Sequence, residues 1–366
     1  MKKALIAMSG GVDSSVAAYL MKEKGYKPLG VTMLLHGETE CIVGGTKTCC
    51  TIDDVEDARI VASYLGMEFA TINYQEFFKE EVIDRFIETY MQGQTPNPCI
   101  DCNKYMKFGR LIDYAREHDC QKVVTGHYAR IIYDEEANEY KLMRAKDSKK
   151  DQTYVLYFLN QEQLSMLEFP DGEYEKEQIR EIADREDLPV AHKSESQDIC
   201  FIPDGDYAGF IERQDDIQPV GQGDFLDTAG SIRGKHKGYY HYTIGQRRGL
   251  GIAADQPLYV VDINPDENVV TLGYNDALFT NVVQAHGFNL ISGDKAFGDK
   301  DQIKLDVTAK IRYRAVDMPG QITIGRDGNA TMIFDSAVRA PAPGQSLVIY
   351  DGDYCLGGGI INRRIT

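Results

Sequence analysis

No apolar run in this chain of 366 residues approaches the ~20 residues that a membrane-spanning helix needs, so no membrane partner is expected. Positive charge is also scarce. Forty Lys and Arg face 57 Asp and Glu, a net charge of −17, which argues against a generic nucleic-acid coat. Internal repeats and low-complexity tracts are missing. Met1-Lys2-Lys3 and the short apolar run behind it imitate the start of a secretion signal, but Gly10-Gly11 ends the run and no small-residue cleavage pattern follows. A cytoplasmic protein is therefore expected. In such a chain the eight cysteines (Cys41, Cys49, Cys50, Cys99, Cys102, Cys120, Cys200 and Cys355) read as thiol chemistry or metal ligation rather than as a disulfide framework.

What is present begins with Ser9-Gly10-Gly11-Val12-Asp13-Ser14-Ser15. It follows the apolar residues 4–8 and opens a run with helical spacing at Val16, Ala17, Leu20 and Met21. The order is strand, tight glycine turn, helix start. Such a turn aims successive N–H groups and the positive helix end at one point, which suits a phosphate. The Gly-Lys-Ser/Thr ending of a Walker loop is missing, so no lysine from this loop grips the terminal phosphates. The segment resembles the pyrophosphate loop of ATP pyrophosphatases, which split ATP into AMP and pyrophosphate to activate a carbonyl oxygen. The alternative is a glycine turn that merely starts a helix.

Up to about residue 205, short apolar strands (4–8, 29–34, 68–72 and 122–125) alternate with helix-like stretches such as 55–65 and 82–91. Alternation of this kind predicts an α/β fold with a doubly wound parallel sheet, whose ligands sit beyond the carboxyl ends of the strands. Met33, Gly126 and His127 fall at such ends. Beyond residue 206 glycine and short alternating runs dominate (258–261, 269–272, 304–313, 321–324, 331–334 and 346–350). The texture predicts a small linking domain and a C-terminal antiparallel β-barrel or sandwich. The expected divisions are 1–205, 206–280 and 281–366.

Two cysteine segments stand apart. In Thr95-Pro96-Asn97-Pro98-Cys99-Ile100-Asp101-Cys102-Asn103 a Cys-x-x-Cys follows two prolines, which fix the backbone and predict a rigid loop rather than a helix interior. In Ser196-Gln197-Asp198-Ile199-Cys200-Phe201-Ile202 a cysteine sits in what reads as a short apolar strand, where an inert buried thiol is the common case. Zinc held by Cys49 and Cys50 with Cys99 and Cys102 is a further reading, weakened because adjacent cysteines chelate poorly. The stretch from Arg233 to Arg248 carries Arg233, Lys235, Lys237, Arg247 and Arg248 without one acid, a local basic face in an acidic chain. Tyr240 and Tyr242 within it read as packing residues rather than base-stacking ones.

Taken in order, the pyrophosphate loop, the Pro-Asn-Pro loop with its cysteine and Asp198-Ile199-Cys200-Phe201-Ile202 are similar to the tRNA-specific 2-thiouridylases. Lys150-Asp151-Gln152-Thr153-Tyr154, the run from Gly234 to Gly251, Arg312-Tyr313, Ala342-Pro343-Gly344-Gln345 and Leu356-Gly357-Gly358-Gly359 extend the resemblance over essentially the whole chain. It implies ATP held by Ala7, Met8, Ser9, Gly10, Gly11, Val12, Asp13 and Ser14 with Met33 and Gly126, and magnesium on the departing pyrophosphate. It implies that the O2 of a wobble uridine becomes an adenylate. Sulfur would then arrive as a persulfide on Cys200 from a cysteine desulfurase or a persulfide relay protein, with Cys102 assisting its release. Asn97, Pro98 and Cys99 would line the flipped uridine, and His127, Lys150, Asp151, Gln152, Arg312, Tyr313 and Gln345 match tRNA-contacting positions. The expected tRNAs are those accepting glutamate, glutamine and lysine.

Cys99 departs from the aspartate of many family members. With Cys102 and Cys200 it makes three thiolates, enough to hold an iron–sulfur cluster with one iron left for sulfide, a second route to the same net reaction. The nearest rival is another ATP pyrophosphatase acting on a small molecule, which leaves both cysteine segments and the β-rich half without a task.

Overall fold

The computed structural model describes residues 2–35, 52–194 and 199–363. Cys41, Cys49 and Cys50, and with them the zinc reading, lie outside the described residues.

The chain opens as the apolar pattern dictates. Strand β1 (Lys3–Ala7) leads through the glycine turn into helix α1 (Val12–Glu23). Then follow β2 (Lys27–Leu34), α2 (Ile52–Tyr64), β3 (Glu68–Asn73) and β4 (Lys122–Val124). With the two-residue β7 (Leu167–Glu168) they form a parallel sheet in the order β3-β2-β1-β4-β7. Leu5 pairs with Leu29 on one side and Val123 on the other. Ala4, Leu5 and Ile6 are fully buried, as expected of a strand covered on both faces. One apolar cluster lies on each face, the first around Leu5, Phe86 and Met106 and the second around Ile6, Val16 and Val61.

A four-stranded sheet follows, in the order β10 (Tyr259–Asn264), β11 (Val269–Gly273), β8 (Gly223–Asp227), β9 (Ile232–His236). Tyr239, Tyr240 and Tyr242 are buried beside it and act as packing residues. The last six strands are β12 (Phe279–Leu290), β13 (Gln302–Lys310), β14 (Met318–Gly325), β15 (Ala330–Arg339), β16 (Ser346–Asp351) and β17 (Tyr354–Ile361). They run antiparallel, and the pairing of β12 with β17 closes them into a barrel. A hairpin from the first half of the chain, β5 (Ala129–Asp134) and β6 (Glu139–Arg144), adds to the barrel sheet through Cys355↔Leu142 and Tyr354↔Met143.

Two local expectations are corrected. Cys200 is in a turn rather than a strand. The Ile202 amide donates to the Ile199 carbonyl at 2.9 Å, and the apolar neighbour Phe201 packs into a ring cluster with Phe78, Phe86 and Phe210 at 5.3–5.9 Å. Cys102 lies in a helix. Pro98 occupies the first turn of a short helix, Pro98–Asp101, where its missing N–H costs nothing, and the chain continues into a wide helical segment, Cys102–Arg110. There the Leu111 amide donates to the Met106 carbonyl five residues back, the π-helical spacing.

Candidate active site

The loop between β1 and α1 has the shape its glycines allow. Gly10 is left-handed at φ +70°, and a Cβ there would stand 2.3 Å from the Asp54 carbonyl oxygen at the start of α2. Gly11 caps α1 in extended conformation without a side-chain cap, which leaves the first N–H groups of the helix for a ligand. The serines brace the turn. The Ser9 amide donates to Ser14 Oγ at 3.2 Å, and the Ser15 hydroxyl to the Gly11 carbonyl at 2.8 Å. Lys193 donates to the Gly10 carbonyl at 3.0 Å while pairing with Asp54 at 2.6 Å.

Asp13 is anchored by side chains from outside the turn. Its Oδ1 accepts from Lys176 at 2.6 Å and from the Tyr128 hydroxyl at 2.7 Å, an anchor between α1 and α3 (Lys176–Arg185). Nearby Asp171 is fully buried, and among the described residues neither carboxyl oxygen has a hydrogen-bond partner. Burial, reinforced by Asp13, pushes its carboxyl well above the usual range.

Beyond β4, Gly126 touches the head of α1, and a Cβ on it would lie 2.8 Å from Asp13 Cβ and from the Ser14 amide nitrogen. His127 is buried, shares a 2.6 Å hydrogen bond between its Nδ1 and Thr125 Oγ1, and packs against Phe108 and Phe169. Burial, and secondarily the charge on Lys107, holds its imidazole well below the ordinary histidine range. It is a neutral ring at neutral pH.

These parts enclose one cavity of about 340 Å³. Of the expected ATP residues, Ala7, Met8, Ser9, Asp13, Ser14, Met33 and Gly126 line it; so do Pro98, Cys99, Cys102, Cys200, His127 and Gln152. The loop and both cysteine segments, remote in sequence, thus meet on one space. Cys99 is exposed, while Cys102 and Cys200 are part-buried. The lining also includes Asn103, Lys107, Thr125 and Phe201, which the sequence reading did not single out. The spacing of Asn103 and Lys107 after Cys102 could have signalled them only if the wide helix had been foreseen.

Other expected residues lie outside this lining. Gly10, Gly11 and Val12 form the turn behind it. Asn97 precedes the Pro98 helix, its carbonyl accepting from the Ile100 amide. Gln345 comes from the barrel and donates to the Thr95 and Pro96 carbonyls at 3.0 Å, so it holds the cysteine-bearing loop. Asp151 is buried, accepting from the Ala145 amide and the Thr153 hydroxyl. Lys150 is part-buried in the preceding turn. Arg312 and Tyr313 are exposed just past the end of β13, and Tyr313 lies close enough to Cys99 to feel its charge, with burial chiefly raising its hydroxyl. In the central sheet Lys235 pairs with Asp224 at 2.7 Å, whereas Arg247 and Arg248 are exposed.

Among the described residues no three His, Cys, Asp or Glu side chains come together as a set that could hold a metal ion. The three cysteines share a cavity lining but form no such set, so they do not fit a preformed cluster cage.

Family models match along the chain: a tRNA methyl transferase HUP domain over residues 2–204, a tRNA methyl transferase PRC-barrel domain over 210–274 and an aminomethyltransferase beta-barrel domain over 284–361. A protein of Caldanaerobacter subterraneus subsp. tengcongensis named tRNA-specific 2-thiouridylase MnmA 2 is 48% identical over 99% of this chain and 98% of its own. One of Clostridioides difficile named tRNA-specific 2-thiouridylase MnmA is 48% identical over 100% and 99%. A solved 4-thiouridine synthetase–RNA complex with bound ATP is similar at a TM-score of 0.37 and 17% identity, covering 58% of this chain and 50% of that one. Full-length identity at this level settles the kinship: the chain belongs to the family of tRNA-specific 2-thiouridylases.

Proposed function

We propose that this protein replaces the C2 oxygen of the wobble uridine of tRNA with sulfur, consuming ATP and releasing AMP and pyrophosphate. The observation that carries the reading is the shared cavity, in which Ser9, Ser14 and Gly126 of the phosphate-binding turn face the same space as Cys102 and Cys200. Methyl transfer, the other chemistry in the family descriptions, has no need of thiols beside a phosphate turn.

The turn would hold ATP with its phosphates on the N–H groups of α1, where the helix end favours negative charge. Magnesium would enter with ATP as its salt, held by phosphates more than by protein carboxylates. The uridine O2 attacks the α-phosphorus, forming an O–P bond. The bond from that phosphorus to the bridging oxygen breaks, and its electron pair leaves with pyrophosphate. A terminal persulfide sulfur on Cys200 then attacks C2 and AMP departs with the C–O pair. The Cys102 thiolate attacks the Cys200 sulfur next, so the S–S electron pair passes to the new thiocarbonyl and a Cys102–Cys200 disulfide remains. A cellular dithiol reduces it. Thiolate attack on a sulfur–sulfur bond needs no further catalyst beyond access.

The base must leave its stack to reach a cavity this enclosed. Exposed Arg312, Tyr313 and Cys99 would meet the anticodon arm, with Lys150, Arg247 and Arg248 adding local positive charge despite the overall negative charge. The donor is a cysteine desulfurase or persulfide relay protein, and the expected substrates accept glutamate, glutamine and lysine. The test is stoichiometry: with unmodified tRNA and a sulfur donor, ATP should yield AMP and pyrophosphate one-for-one with thiolated nucleoside. ADP formation, or AMP release independent of tRNA, would overturn the reading.

A further inference from the structure

The phosphate turn supplies no lysine of its own, yet the cavity contains one. Lys107 lines it together with Ser9, Ser14, Gly126 and Cys102. It is part-buried, and among the described residues its ammonium has no hydrogen bond and no carboxylate within ion-pair distance. The two lysines that brace the turn differ in this: Lys176 is paired with Asp13 and Lys193 with Asp54 and Asp57. In a chain of net charge −17, an unpaired cation facing a cavity is placed for an anion that arrives from outside.

The backbone explains how it gets there. At 3.6 residues per turn, residue 107 would lie about 140° around the helix from Cys102. The i→i+5 register of Cys102–Arg110 stacks residues five apart instead, so Cys102 and Lys107 face the cavity together. Wide turns of this kind carry an energetic cost and occur often at functional sites.

We propose that Lys107 is a further catalytic residue, the cation that meets negative charge on the α-phosphoryl oxygens as the uridine O2 attacks. This rests on the adenylation step set out above. Lys107 shares the lining both with Cys99 and Cys102, where the base would lie, and with Ser9, Ser14 and Gly126 of the phosphate turn. The α-phosphate is the one that must lie between those two groups of residues, because it is the phosphate that bonds to the base. Lys107 acts by its charge and exchanges no proton in the step.

The experiment is single-turnover pyrophosphate release from magnesium ATP with saturating unmodified tRNA, alongside equilibrium ATP binding and thermal unfolding. Lys107→Met should fold as wild type and lose ~100-fold or more in rate, the usual consequence of removing one preorganised charge donor. Its ATP affinity should change far less, because the interaction strengthens in the transition state. Lys107→Arg should recover to within about tenfold, since it restores a fixed positive charge. Lys104→Met, on the exposed side of the same segment, should be unaffected. If Lys107→Met is poorly folded, Lys107→Gln is judged by the same criteria. A folded neutral variant within about threefold of the wild-type rate overturns the assignment, and so does a rate loss matched by an equal loss of ATP affinity. Wild-type protein that releases no pyrophosphate under these conditions overturns the adenylation reading itself, a distinguishable result.

Discussion

Gly126→Ala is the smallest change that tests whether the phosphate turn works by fixed geometry. The added methyl would sit 2.8 Å from Asp13 C, Asp13 Cβ and Ser14 N, whereas ordinary contacts between such atoms begin near 3.4 Å. None of the three belongs to the far end of a flexible side chain. Asp13 itself is anchored by Lys176 and Tyr128, so the strain must move the first turn of α1 by roughly 0.6 Å or more. Overpacking of this size costs about 1–3 kcal/mol of stability. It also lengthens bonds from the α1 amides to a bound phosphate past useful hydrogen-bond range. Loss of one charge-assisted bond is worth about 1.5–3 kcal/mol, which is roughly 10- to 150-fold in ATP affinity. Calorimetric titration with ATP in the absence of tRNA reads this directly, with thermal unfolding as the companion measurement. Affinity within about twofold of wild type, in a protein of unchanged stability, would refute the reasoning.

Two further outcomes follow from the cysteine segment. Burial pushes the Asp101 carboxyl up to about 6, against the smaller opposing pull of Arg85 and Lys104. A raised carboxyl favours the folded state most below its unfolded pKa, and that contribution is lost as pH rises from about 4 through about 6. Asp101→Asn should therefore stabilise the protein by about 2–3 kcal/mol at pH 7.5, with the gain vanishing near pH 4; equal denaturation midpoints at pH 7.5 would contradict this. Cys99→Ala, finally, should keep its thiolation activity, and anaerobically purified wild type should carry no stoichiometric iron. Bound iron with visible cluster absorbance, together with an inactive variant, would instead require the three-cysteine route.

The sequence made the turn legible because an apolar strand, two glycines and a helical run leave a single sensible order. The cysteine segments were legible as patterns, but not in their conformation. Three or four apolar residues cannot distinguish a strand from a turn, and Phe201 uses its hydrophobicity to pack among Phe78, Phe86 and Phe210 instead of pairing in a sheet. Lys107 was invisible because its direction depends on a wide helical register that no local signal announces. The hold of Gln345 on Thr95 and Pro96, and the pairing of β6 with β17, are contacts across most of the chain and leave no periodic trace. Gly126 was placed at the right strand end, yet the reason for glycine there emerged only from its approach to Asp13 and Ser14.

The central claim is that ATP cleavage and thiol chemistry meet in one cavity on a nucleobase of tRNA. Nucleoside analysis of unmodified tRNA, after incubation with protein, magnesium ATP and a persulfide donor, tests it most directly. The wild type should yield 2-thiouridine and Cys200→Ser none, with pyrophosphate still released by the variant. Absence of 2-thiouridine from the wild-type reaction, or an equal yield from Cys200→Ser, would contradict the account.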